Sequence, residues 1–173
     1  MAATVRTARL DDAEAVGRIH VESWRAAYVG VVPQAHLDAL DTKKRIADWR
    51  AAIEANPELD HGRRLVAEVN GEVVGIALVV PDRDGEDGVG EIPIIYVQPS
   101  AWGIGAGYSL MAECEAELQR RGFAEAVLWV LEDNLRARRF YERQEWRADG
   151  GRKVEEIGGV ELAEIRYRRM FEA

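Results

Sequence analysis

Along the chain, stretches with apolar residues every three to four positions alternate with stretches apolar at nearly every position, and short polar segments separate them. In LDDAEAVGRIHVESWRAAY, Val16, Ile19, His20, Ser23, Trp24 and Ala27 fall at helical spacing behind Asp11, a cap candidate with Glu14 three residues on. The spacing predicts a first amphipathic helix. Pro33 is a start signal, and Leu37, Leu40, Ile46, Trp49 and Ile53 predict one or two helices before the Asn56-Pro57 break. RRLVAEVNGEVVGIALVVPD sets Asn70-Gly71 between two β-rich runs, which predicts a hairpin with a type I′ turn. The polar loop PDRDGEDGVG leads to a strand, EIPIIYV, then to a glycine segment and a helix. That helix has Leu110, Met111, Cys114 and Leu118 on one face and ends at Gly122. EAVLWVLE predicts another strand. Asp133 or Asn134 caps a short helix ending near Arg143, and GGRKVEEIGGVELAEIRYRRM predicts a final hairpin about Gly158-Gly159. With no repeat, low-complexity tract or linker, residues 1–173 read as a single α+β domain built on a sheet.

Composition narrows the setting. At 173 residues and 47% hydrophobic, the chain can bury a continuous core without a disulfide or a structural metal. No apolar run approaches a membrane span of about 18 residues. The N-terminus has acids where the apolar part of a signal peptide would lie, so a soluble, cytoplasmic protein with no membrane partner is expected. The single cysteine, Cys114, fits a reducing compartment and rules out a cysteine-based zinc site. The net charge of −8, from 23 basic and 31 acidic residues, argues against nucleic acid as a partner.

Glycines 103, 105 and 107 lie between a strand and a helix, where they leave backbone N–H groups bare at the positive end of a helix dipole. This pattern makes an anion cradle or a plain glycine-rich turn. Two familiar phosphate loops do not fit: the dinucleotide fingerprint needs glycine where Tyr108 stands, and a P-loop needs a Gly-Lys-Ser/Thr ending.

YVQPSAWGIGAGYSLM resembles the acyl-CoA-binding segment of the GNAT N-acetyltransferase superfamily, whose pattern Gln/Arg-x-x-Gly-x-Gly/Ala falls on Trp102, Gly103, Ile104, Gly105, Ala106 and Gly107. About 30 residues on, NLRARRFYER is similar to the family's second signature, at Asn134, Ala137, Phe140, Tyr141 and Glu142. SWRAAYVGVVP and VAEVNGEVVGIALV also look like bacterial members, so the resemblance spans nearly the whole chain. It implies a mixed, mostly antiparallel central sheet flanked by helices on both faces. It also implies an acetyl-CoA-dependent N-acetyltransferase that acetylates a primary amine of a small molecule or peptide by direct attack in a ternary complex. Two departures stand out. Trp102 replaces the usual Gln or Arg, and Gln144-Glu145 replaces a Lys-Gly-like pair, so a changed turn is expected there.

The resemblance also suggests roles. Amine attack on a thioester needs a proton acceptor, a donor for the carbonyl oxygen and a proton for the leaving sulfur. Glu91 matches a position where a subset of the family carries its base, though it also reads as an ordinary strand-end carboxylate. Backbone groups of Ile95, Tyr96 and Val97 are the expected donors. Tyr141 is the candidate acid, with simple aromatic packing as its other reading. The cofactor set is completed by residues 102 to 108, Tyr108 included, and by Asn134, Ala137, Phe140 and Tyr141, with Phe140 turned more toward the core. Trp24 and Tyr28, with Trp49 nearby, are core residues or one wall of the acceptor pocket.

Other features are read without chemistry. His20, His36 and His61 lack ligand spacing, so no metal is expected. Asp82, Asp84, Glu86 and Asp87 miss the spacing of a calcium loop and read as a solvated turn. Cys114 reads as core. A catalytically silent acyl-CoA-sensing module and a nucleotide-binding oxidoreductase are the alternative functions, and a homodimer is left open.

Overall fold

The computed structural model describes residues 3–59 and 61–171. Seven strands form one sheet: β1 (Thr4–Thr7), β2 (Arg63–Val69), β3 (Glu72–Pro81), β4 (Val89–Val97), β5 (Glu125–Leu131), β6 (Arg147–Ile157) and β7 (Val160–Met170), in the order β1-β2-β3-β4-β5-β7-β6. Every neighbouring pair is antiparallel except β4 and β5. The helices are α1 (Ala13–Ala27), α2 (Gln34–Asp38), α3 (Thr42–Ala55), α4 (Ala106–Arg120) and α5 (Leu135–Glu142). The sheet is thus mixed and mostly antiparallel, as expected.

Both sheet faces are covered, which is why β2 and β3 are apolar at successive positions instead of alternating. Val66 and Ile76 point to α1 and α3, where they meet Val16, Ile19, Trp49 and Ile53. Their neighbours Leu65, Ala67, Ala77 and Val79 point to the other face, against Leu110, Met111, Cys114 and Leu118 of α4. The Asn70-Gly71 turn has the positive φ values its type requires, 54° and 82°. Helix α4 stops in a Schellman motif: Phe123 N–H bonds Leu118 C=O and Gly122 N–H bonds Gln119 C=O, with Gly122 left-handed.

Three local expectations change. Strand β1 has no counterpart in the sequence reading. It is four residues long, too short to show a period, and Arg6 anchors it through Asp12 and Glu68. The cap of α1 is Asp12, one residue after Asp11, because a 3-10 turn over Leu10–Asp12 precedes the helix and the Asp12 carboxylate accepts the Arg9 N–H at 2.6 Å. The turn after α5 keeps a glycine-like form without glycine: Glu145 sits at φ 64°, and Trp146 N–H bonds Tyr141 C=O.

The sheet splits at its centre. β4 and β5 pair only from Val89 to Glu91, opposite Glu125 to Val127. Beyond Glu91 a bulge at Ile92-Pro93 shifts β4 against β3, at a position where proline's missing N–H is tolerated. β4 then continues with β3 alone, and the edge it shares with β5 opens.

Candidate active site

A cavity of about 840 Å³ occupies the split and reaches both faces of the sheet. Cross-strand neighbours share a face, so the register assigns its walls. Ala126, Leu128 and Val130 face α4, so Val127, Trp129 and Leu131 face α1 and α2, and Leu131 meets Val32 and Leu37 there. Glu91 lies opposite Val127 and Glu164 opposite Leu131, placing both carboxylates on the α1 side. Trp24, Tyr28 and Tyr96 complete that wall. The α5 residues Ala137, Phe140 and Tyr141 line the opposite end together with the glycine loop.

The β4 backbone supplies polar groups inside the split. Gln98 N–H bonds Val74 C=O, so by antiparallel alternation Tyr96 is committed to Ile76, while Ile95 and Val97 turn their amides toward the opened edge. Of the expected trio, only Ile95 and Val97 therefore have backbone N–H groups free. The Val97 carbonyl is taken by the Trp102 indole N–H at 2.7 Å.

Downstream, Trp102 N–H bonds Pro99 and Ser109 N–H bonds Gly105, but no backbone N–H from 103 to 108 finds a backbone acceptor among the described residues. Gly105, the cap of α4, sits at φ 94°, and a Cβ built there meets nothing within 4 Å. This open space lies beside a helix N-terminus, whose unspent amides and dipole favour an anion. Gly107 has a different reason to be glycine, since a Cβ there would lie 3.2 Å from the Phe140 ring. Gly103, Tyr108 and Trp102 also line the cavity, whereas Ile104 is 48% exposed and Ala106 is buried under the helix start.

Glu91 is buried, and Arg83 holds both of its oxygens. Glu164 touches Lys153 at 3.4 Å, and burial holds its carboxyl above the ordinary value against the pull of Lys153. Tyr141 is buried among core side chains, and burial pushes its phenol well up. Phe140, expected nearer the core, is the more exposed of the two and packs edge-on against Tyr108, with ring centroids 5.4 Å apart. The Asn134 side chain caps α5 through the Ala137 N–H.

Trp49 stays out of the cavity, donating its indole N–H to His20 Nδ1. Cys114 is buried against the sheet, and burial raises its thiol. Asp82, expected in a solvated turn, is buried and accepts the Glu86 N–H, so its loop is fixed and carries Arg83 to Glu91. Among the described residues no group of three or more His, Cys, Asp or Glu side chains is arranged to hold a metal ion, and no helix is long and apolar enough to cross a membrane.

The acetyltransferase (GNAT) family model matches residues 14–146. The chain belongs to the GNAT family. Over 132 residues it is 31% identical to the uncharacterized N-acetyltransferase YuaI of Bacillus subtilis (strain 168), covering 76% of this chain and 73% of that protein. PaiA N-acetyltransferase from Thermoplasma acidophilum, solved in complex with coenzyme A, shares the fold with a TM-score of 0.74 at 18% identity, covering 99% and 100% of the two chains. YncA, a putative acetyltransferase of Salmonella typhimurium solved with acetyl-CoA, gives 0.70 at 22% identity over 100% of this chain and 96% of that one. In this GNAT chain the sequence reading missed Arg83, Arg136, Lys153 and Glu164 at the cavity. The arginines of α5 recur at helical spacing and were legible, whereas Glu164 is one acid among many in a charged hairpin.

Proposed function

We propose that the protein transfers the acetyl group of acetyl-CoA to a primary amine by direct attack in a ternary complex. The observation that carries this reading is the cavity through the split sheet, which joins a cradle of free amides on one side to a carboxylate-bearing pocket on the other. Acetyl-CoA supplies an activated acyl thioester. The amides at 103 to 108 bind its diphosphate, and the Ile95 and Val97 N–H groups orient the arm and the carbonyl inside the split.

The amine enters from the α1 side. An ammonium has no lone pair and must first lose a proton. Glu164 has carboxylate capacity beyond its single contact with Lys153 and sits where burial makes it a better base, so it takes the proton directly or through one water. Glu91 as base is the second reading, favoured by its place at the head of the split; there Arg83 must first let go. Tyr141, kept protonated by burial, gives its proton to the departing sulfur. The acceptor pocket holds three carboxylates, Glu91, Glu155 and Glu164, against Arg83 and Lys153, a balance that suits a cationic amine.

Thermal-shift titration with acetyl-CoA, CoA, NAD and NADP tests the reading, because a ligand that binds the native state alone raises the melting temperature. Acetyl-CoA and CoA should stabilise the protein and the nicotinamide nucleotides should not. Stabilisation by NAD or NADP alone would support the oxidoreductase alternative. Acetylation of any amine would exclude a silent sensor.

A further inference from the structure

Helix α5 and its C-cap turn Arg136, Arg139 and Arg143 to the cavity at i, i+3 and i+7. In a chain of net charge −8, many arginines elsewhere are met by acids, as Arg6 is by Asp12 and Arg168 by Glu125, and others, such as Arg64 and Arg138, are tied to backbone carbonyls. Among the described residues these three make no ion pair within 4 Å. Unpaired cations grouped on one wall of a cavity in an acidic protein point to an anion that comes from outside.

Arg136 is also held in place. Its guanidinium carbon lies 3.5 Å from the centroid of the Trp102 ring, a stacking contact that uses the face of the group and leaves its N–H edge unspent. The ring cannot swing freely, because its own N–H is fixed to the Val97 carbonyl at 2.7 Å. Trp102 immediately precedes the run whose backbone amides are free, so Arg136 is parked at the rim of the cradle. Arg139, and Arg143 just past the helix end, follow roughly 4.5 and 10.5 Å beyond it along the axis at a rise of about 1.5 Å per residue.

We propose that Arg136 is the cationic contact for a diphosphate seated on the amides at 103 to 108, with Trp102 acting as a positioning residue that holds the guanidinium over the cradle. The inference rests on the reading that acetyl-CoA is the ligand of this cavity. Its planar fork suits two phosphate oxygens at once, which the ammonium of lysine cannot match.

Calorimetric titration of CoA, dephospho-CoA and acetyl-pantetheine against wild type, Arg136→Ala, Arg136→Lys and Trp102→Leu tests it by binding alone. Arg136→Ala should weaken CoA and dephospho-CoA equally, by about 10- to 100-fold, and leave acetyl-pantetheine, which has no diphosphate, unchanged. Arg136→Lys should recover part of the loss. Trp102→Leu should lower affinity for the two diphosphate ligands with the guanidinium still present. Loss confined to CoA would assign Arg136 to the ribose phosphate and overturn the proposal. So would equal loss for all three ligands, or none. Failure of the wild type to bind CoA at all would overturn the acetyl-CoA reading and this inference with it, whereas wild-type binding with an unaffected Arg136→Ala overturns this inference alone.

Discussion

Arg83 closes on Glu91 from two sides: its Nε and backbone N–H both reach Oε2 at 2.9 Å, and Nη2 reaches Oε1 at 2.6 Å. The carboxylate nearest the head of the split is therefore already spent on an ion pair, and Glu164 across β5 has the more open one. With an acceptor amine identified, Glu164→Gln should lower turnover by about 10²- to 10⁴-fold and remove the acid limb of the pH–rate profile. A carboxyl held above its ordinary value must lose its proton before it works, so in wild type the rate climbs as pH rises through that raised value. Glu91→Gln should keep the limb. The reverse pattern would hand the role to Glu91.

Tyr141→Phe should retain the melting temperature and acetyl-CoA affinity of wild type, since only one oxygen is lost from a packed ring. Its chemical step, followed in single turnover, should slow by about 10²- to 10⁴-fold. Full activity would leave Tyr141 as packing and give the proton transfer to water.

His20 makes stability depend on pH. Burial lowers its pKa from 6.5 to about 4, while Nδ1 accepts the Trp49 indole N–H. The unfolded chain thus takes up a proton that the native state refuses, and stability is lost as pH falls from about 6.5 to about 4, by at most on the order of 3 kcal/mol. Urea unfolding across that window should show a steeper decline for wild type than for His20→Gln. Parallel curves would mean that His20 is not held neutral.

Glu145, at φ 64°, occupies a conformation that disfavours side chains with a Cβ. Glu145→Gly should stabilise the protein by roughly 0.5–1 kcal/mol, the relief of strain exceeding the added chain entropy. A lower midpoint in chemical denaturation would show instead that the Glu145 pair with Arg169 matters more than the backbone.

The elements with strong local signals were legible. The Asn70-Gly71 hairpin, the apolar stripe of α4 and the Gly122 stop are each encoded within a few residues. The glycine loop and the α5 motif led to the family by resemblance, and Gly105 takes the left-handed backbone that its loop requires. What was not legible depends on register. No spacing in the sequence shows that β4 and β5 part after Glu91, that Arg83 folds back on that glutamate, or that Glu164 shares a sheet face with it. Nor does a tryptophan in a glycine loop announce that an arginine 34 residues later will lie on it.

Acetyl-CoA binding depends first on the cradle at 103 to 108, and Gly105→Asn tests that dependence most directly. Asparagine tolerates a left-handed backbone better than most residues, so the helix cap should survive while a side chain enters space that is open in the wild type. Titration calorimetry with acetyl-CoA should give saturable binding to wild type and at least tenfold weaker binding to Gly105→Asn, with closely similar circular dichroism. Equal affinity in the two proteins, or no binding to wild type, would contradict the account.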